Sequence, residues 1–221
     1  MFIQFLKQQV FPGIYATYVN RQISLIYEKQ RESEVDVSGI KGKEEEYVLK
    51  LKEEIKIQFD RKVKIEDKAK SLLFIITLAI TTITFSLNYL KENSNQILPL
   101  IFIVLSIIYF VFGGFRALQT FNIKQFHVDQ PTIDFQENKF VLKPEKKTIS
   151  HLKELIISKS LNDLINIKTS NLTYASFILI RNGLIMFVLF FISTIFILHY
   201  ESKTKNEIVI KCPVIKEIKK Q

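Results

Sequence analysis

Across the twenty residues 71–90 the chain carries no Asp, Glu, Lys or Arg, directly after a segment, 61–70, in which charges dominate. A helix of that length is roughly 30 Å long, the thickness of a bilayer's hydrocarbon core. It also satisfies its own backbone hydrogen bonds where no water can do so. One such run would equally suit a buried helix of a soluble protein. Two more follow, however: residues 93–115, with the apolar stretch ILPLIFIVLSIIYFVFGGF, and residues 182–200, NGLIMFVLFFISTIFILHY. Three uncharged runs of membrane length in 221 residues predict an all-α integral membrane protein with three transmembrane helices.

The charge lies outside these runs and sums to +9. In a membrane protein a basic balance matches loops facing an anionic leaflet, and no direct contact with nucleic acid is expected. The single cysteine, Cys212, excludes an intrachain disulfide. The N-terminal MFIQFLKQQVFPGIY has no basic region ahead of an apolar run, so no cleavable signal peptide is expected and the first span would direct insertion.

The chain reads as six segments. Residues 1–43 form an N-terminal segment in which Phe2, Phe5, Leu6 and Val10 precede an interruption at Pro12-Gly13. Ile14, Tyr15, Tyr18 and Val19 then resume the apolar pattern, which suits either a helix in the headgroup region or one packed on cytoplasmic helices. In 44–70, Val48, Leu51, Ile55 and Phe59 recur at helical spacing between Lys and Glu. No breaker separates this cytoplasmic helix from the first span, so one helix is expected over about residues 44–90. The turn KENSNQ closes a two-helix transmembrane hairpin, 71–116. Gly113-Gly114 near its end suits a kink or a close-packing point.

In 117–175, strands at 132–135 and 139–142 predict a small β-hairpin. Ser150 is the expected N-cap of an amphipathic helix whose apolar stripe includes Leu152, Leu155, Ile156, Leu161, Leu164 and Ile165. That helix is expected to continue into the third span, 176–200, ahead of a lysine-rich tail, 201–221. Two of the three spans thus extend long cytoplasmic amphipathic helices.

Orientation follows the Lys and Arg beside the spans. Residues 51–70 carry seven, the turn after the first span carries Lys91 alone, and the segment 116–181 carries ten. The N-terminus and middle segment are therefore expected on the cytoplasmic side of the inner (plasma) membrane. A third span then places the tail outside despite its six lysines, a conflict with the same rule.

Thr77, Thr81, Thr84 and Asn88 recur at spacings of four, three and four, which puts them on one face of the first span. Hydroxyls there either bond their own helix and its neighbours or line a path at the axis of a homo-oligomer. Ser106 and Gly113 suit close helix contact in the second span. Arg181 stands at the cytoplasmic end of the third span, where an arginine snorkels to lipid phosphates or serves an ion pair. Arg61, Lys62, Lys64, Lys68, Lys70, Lys153, Lys159 and Lys168 form a basic set for a trigger or for lipid contact.

His127, His151 and His199 are scattered, and no phosphate loop or nucleophile elbow occurs. No catalytic residue, cofactor or metal is expected, and the chain does not read as an enzyme.

The segment KIEDKAKSLL at 64–73, the tight two-span hairpin, FHVDQP at 126–131 and the amphipathic helix feeding a third span resemble a known pattern. The chain is similar to small bacterial transmembrane effectors of anti-phage defence islands, the Pycsar type and the related SLATT group, with Asp67, Lys68, Ala69, Leu72 and Leu73 as the matching residues. The similarity covers about residues 45–200. It implies an antiviral, abortive-infection effector that stays inert until a cytoplasmic sensor protein or nucleotide signal acts on it, then oligomerises and disrupts the membrane. A non-catalytic scaffold or accessory subunit of a larger complex, and a small-solute channel, are the other classes open to such a chain.

Overall fold

The computed structural model describes residues 8–40, 42–92, 97–123, 133–136, 139–142 and 148–210, with the side chains of 87–92, 133–136, 139–142, 148 and 201–210 left aside. The KENSNQ turn beyond Glu92, the FHVDQP segment and the end of the lysine tail lie outside the described residues.

Helix α1 (Pro12–Arg31) begins with proline in its first turn, where the missing N–H costs nothing, and ends in the basic pair Lys29 and Arg31. A short 3-10 turn (Ser38–Ile40) follows. Helix α2 (Glu44–Glu92) opens on three glutamates that suit the positive end of the helix dipole, and runs 49 residues without a break. Helix α3 spans Ile97–Phe121. Strand β1 (Ile133–Gln136) pairs antiparallel with β2 (Lys139–Leu142), with Ile133 opposite Leu142.

Helix α4 (Thr148–Ile210) continues for 63 residues. It starts two residues ahead of Ser150, which therefore sits inside the first turn and does not cap it. Among the described residues three stretches are long and apolar enough to cross a membrane: Glu44–Ser86, Ile97–Phe121 and Ile149–Tyr200. The helical class expected from the uncharged runs holds.

The chain forms two compact units, residues 1–75 with 112–179 and residues 76–111 with 180–221. In the first unit the withdrawn positions of α2 include Leu51, Ile55, Gln58, Lys62, Ile65, Ala69 and Leu72, spaced alternately four and three apart, with Glu54, Glu66 and Leu73 half-buried beside them. This is a 3.5-residue period, the rhythm of a left-handed coiled coil. Gln58 takes the inner position that the apolar pattern assigned to Phe59. Gln58 is 3% exposed and Phe59 36%.

Side-chain bonds fix the partners of this unit. Glu54 and Gln58 of α2 meet Lys159 of α4, and Asn166 of α4 reaches back to Gln58, so the two helices run parallel. Helix α1 lies antiparallel to α4, through Asn20 to Lys168 and Gln30 to Ser160. Its inner face is Pro12, Ala16, Asn20 and Ile23, while Ile14, Tyr18 and Leu25 point outward. Helix α1 therefore packs on the other helices and keeps an exposed apolar side.

In the second unit the buried positions of α2 are Ile76, Ala79 and Ile83, and those of α3 include Ile103, Ser106 and Phe110. Helix α4 supplies Gly183, Phe187, Phe190 and Thr194. The same four-and-three spacing recurs. Three phenylalanines of α4 form an aromatic ladder, with Phe187 edge-on to Phe191 at a centroid distance of 4.8 Å. Large apolar side chains also point outward, Phe85 at 72% and Phe196 at 76% exposure. Water would penalise that surface and a hydrocarbon phase would not.

Candidate functional site

Within the second unit, Thr77, Thr81 and Thr84 are exposed, on the side of α2 away from Ile76, Ala79 and Ile83. Thr82 joins them. Thr81 donates to the Thr77 carbonyl at 3.0 Å, Thr82 to that of Leu78 at 2.9 Å and Thr84 to that of Ile80 at 2.9 Å. The protons are thus committed to the helix itself, and the oxygen lone pairs form the outward polar surface. The Asn88 side chain lies outside the described residues.

Ser106 behaves differently. It is fully buried and donates to the Gly183 carbonyl of α4 at 2.9 Å. A Cβ on Gly183 would stand 3.1–3.2 Å from three ring atoms of Phe110. A side chain there would press on the ring, because α3 and α4 approach closely at this point. Arg181 is exposed, with Nη2 on Asn182 Oδ1 at 3.3 Å.

The first unit holds the other packing residue, Gly113, whose carbonyl accepts from Ser176 Oγ at 2.8 Å. Helix α3 passes through Gly113-Gly114 unbroken, and both glycines are buried. Further along, Thr120 and Thr173 share a hydrogen bond of 3.3 Å between buried hydroxyls.

Arg116 supplies a clamp that the spacing arguments missed. Its Nη2 donates to the Gly13 carbonyl at 2.9 Å and to Thr17 Oγ1 at 2.7 Å, and its Nη1 to Gln119 Oε1 at 2.7 Å. One guanidinium thereby fastens the start of α1 to α3. Only the fork of donors on an arginine reaches all three acceptors from one stem.

The basic set divides by partner. Lys159 pairs with Glu54, Lys62 with Glu66 at 3.5 Å and Lys70 with Asp67 at 3.0 Å. Lys168 donates to Ser24 Oγ at 2.9 Å, which ties it to α1. Arg61, Lys64, Lys68 and Lys153 are exposed, and no ion pair is recorded for them among the described residues. The hydrogen bond from Lys159, and then its charge, hold the Glu54 carboxyl below its ordinary value of 4.5.

The inner face of α4 in this unit carries Ser158, Asn162, Asn166, Thr169, Thr173 and Ser176, all buried. Gln58 Nε2 donates to the Lys159 carbonyl at 3.0 Å, and Asn166 Nδ2 to the Gln58 carbonyl at 3.1 Å. The oxygens Gln58 Oε1 and Asn166 Oδ1 are buried without a hydrogen-bond partner among the described residues. An unmet buried acceptor costs about 1–3 kcal/mol. Polar groups of this kind fix the register of packed helices in some coiled coils, at a cost in stability. No cluster of metal-binding side chains occurs among the described residues.

No protein family, no curated protein and no solved structure matches the chain.

Proposed function

We propose that this chain is a non-catalytic membrane effector of a bacterial antiviral, abortive-infection system. It sits in the inner membrane with its N-terminus cytoplasmic, and a sensor protein or nucleotide signal acts on the charged part. It then oligomerises and permeabilises the membrane. The observation that carries this reading is the threonine face of the first span, which lies outside the chain's own packing in the second unit. A face of outward oxygen lone pairs suits contact with copies of itself around a wet path better than it suits lipid.

The polar contact between α2 and α4 supports the same reading. A register held by amides at a cost in stability is poised between arrangements, and a signal of modest binding energy biases it. Helices α2 and α4 each run unbroken from charged into uncharged sequence, so one element carries both the triggered and the membrane part.

The test is dye release from vesicles holding the purified chain, and from cells overexpressing it. Joint replacement of Thr77, Thr81 and Thr84 by Val leaves insertion and melting temperature unchanged and brings release down to the level of empty vesicles. Release unaffected by the triple change would remove the threonine face from the mechanism.

A second reading, a membrane scaffold or accessory subunit, is favoured by the hydroxyl bonds of Thr81, Thr82 and Thr84, which all stay within α2. That reading predicts no release from the parent chain under any trigger. A small-solute channel would draw polar groups from several spans toward one path. Ser106 and Thr194 instead serve backbone carbonyls inside the second unit.

A further inference from the structure

Within the first unit, α2 and α4 enclose a half-open cavity of about 450 Å³ at the level where α2 passes from charged to uncharged sequence. From this cavity we infer a binding site for a single anionic phospholipid, its phosphate held by Lys68, Ser170 and Tyr174 and its first acyl methylenes by Leu72 and Phe177.

The lining decides the ligand class. It contains no carboxylate. Glu66 and Asp67, the acidic neighbours of Lys68, are engaged by Lys62 and Lys70. Lys68 is exposed and takes no ion pair among the described residues. Ser71 and Thr173 also line the cavity, but Ser71 donates to the Asp67 carbonyl and Thr173 to that of Thr169. The donors that remain are an ammonium, a serine hydroxyl and a phenol, which match the oxygens of a phosphodiester.

The order of residues sets the orientation. Helices α2 and α4 run parallel; on α4 the polar lining members precede the apolar one, and on α2 Lys68 and Ser71 precede Leu72, with Ile65 one turn before Lys68 on the headgroup side. Lys68 precedes Leu72, and Ser170 precedes Phe177. A phospholipid has the same polarity along its length. The volume suits a headgroup phosphate with its glycerol and a few methylenes, at the lower end of ordinary ligand pockets. A free phosphate would leave the apolar part uncovered.

This inference rests on the membrane placement within the proposed function and not on permeabilisation, so a chain that binds the lipid and never leaks leaves it standing. The experiment uses the full chain in a zwitterionic detergent, titrated with phosphatidylglycerol or with phosphatidylcholine of the same chain length, and read by native mass spectrometry. Inorganic phosphate serves as competitor. One saturable phosphatidylglycerol is expected, with phosphatidylcholine weaker and phosphate without effect.

Lys68→Gln is expected to weaken binding about five-fold, the effect of one basic residue at an anionic surface. Lys64→Gln, an equal loss of charge on the same helix outside the cavity, is expected to leave it unchanged. Equal weakening by the two variants would overturn the site in favour of diffuse attraction. So would saturation by phosphate alone, equal binding of the two lipids, or no saturable lipid.

Discussion

Gly183→Ala isolates the closest helix contact of the second unit. The added methyl would stand 3.1 Å from Phe110 Cε1 and 3.2 Å from both Cδ1 and Cζ. The ring has no free direction, since Phe110 is fully buried, and the Ser106 bond to the Gly183 carbonyl holds the two backbones together. Overpacking of this kind costs about 1–3 kcal/mol, whereas alanine in place of glycine in a helix gains about 1 kcal/mol.

The net effect is therefore a loss of about 0–2 kcal/mol in the parent, or a few degrees in melting temperature at about 2–4 °C per kcal/mol. In the Phe110→Leu background the ring atoms are gone and the helix gain stands alone, so the same Gly183→Ala change becomes stabilising by about 1 kcal/mol. The assay is thermal unfolding in detergent across the four-protein cycle, whose coupling term removes the effects common to both backgrounds. A Gly183→Ala effect of one sign and size in both backgrounds would refute the contact.

Two further outcomes follow from the first unit. Arg116→Lys keeps the charge but shortens the reach and removes the fork, so one ammonium cannot hold Gln119 on α3 and also Gly13 and Thr17 on α1. Hydrogen exchange over residues 12–31 should then speed up by at least about ten-fold, the equivalent of one charge-assisted bond, with the rest of the unit unchanged. Glu54, held low by Lys159, contributes stability that is present above its ordinary value of 4.5 and lost as pH falls through the lowered one. Melting temperatures on either side of that window should show a smaller acid loss in Glu54→Gln than in the parent. An identical loss would mean that the pair is without thermodynamic effect, as half-exposed pairs often are.

The three uncharged runs were legible because lipid-facing helices announce themselves by length and by absence of charge. The long helix α2 was legible for a related reason, as no glycine or proline interrupts residues 44–92. The inner face of the first unit was hidden because apolar periodicity assumes that buried positions are apolar. Gln58, Asn162, Asn166, Thr169 and Thr173 are buried and polar; Gln58 and Asn166 donate to backbone carbonyls of the facing helix, which no local pattern records, and Thr169 and Thr173 to carbonyls of their own helix.

Arg116 was passed over for a different reason. It marks the charged end of an apolar run, and its partners at Gly13 and Thr17 are about a hundred residues away in sequence. The threonine spacing identified a common face, but spacing alone is equally compatible with an outward and an inward one. Only the buried Ile76, Ala79 and Ile83 on the opposite side resolved which it is.

The alternating four-and-three rhythm of α2 also limits how such a chain can change in length. One residue inserted into a helix turns every later side chain by about 100°, which would carry Ile76, Ala79 and Ile83 off the packed side. Seven residues added at matching points of α2 and α4 return both to within about 20° of their original phase. Descendants of this chain should therefore differ in the reach of these helices by whole heptads, taken by both together.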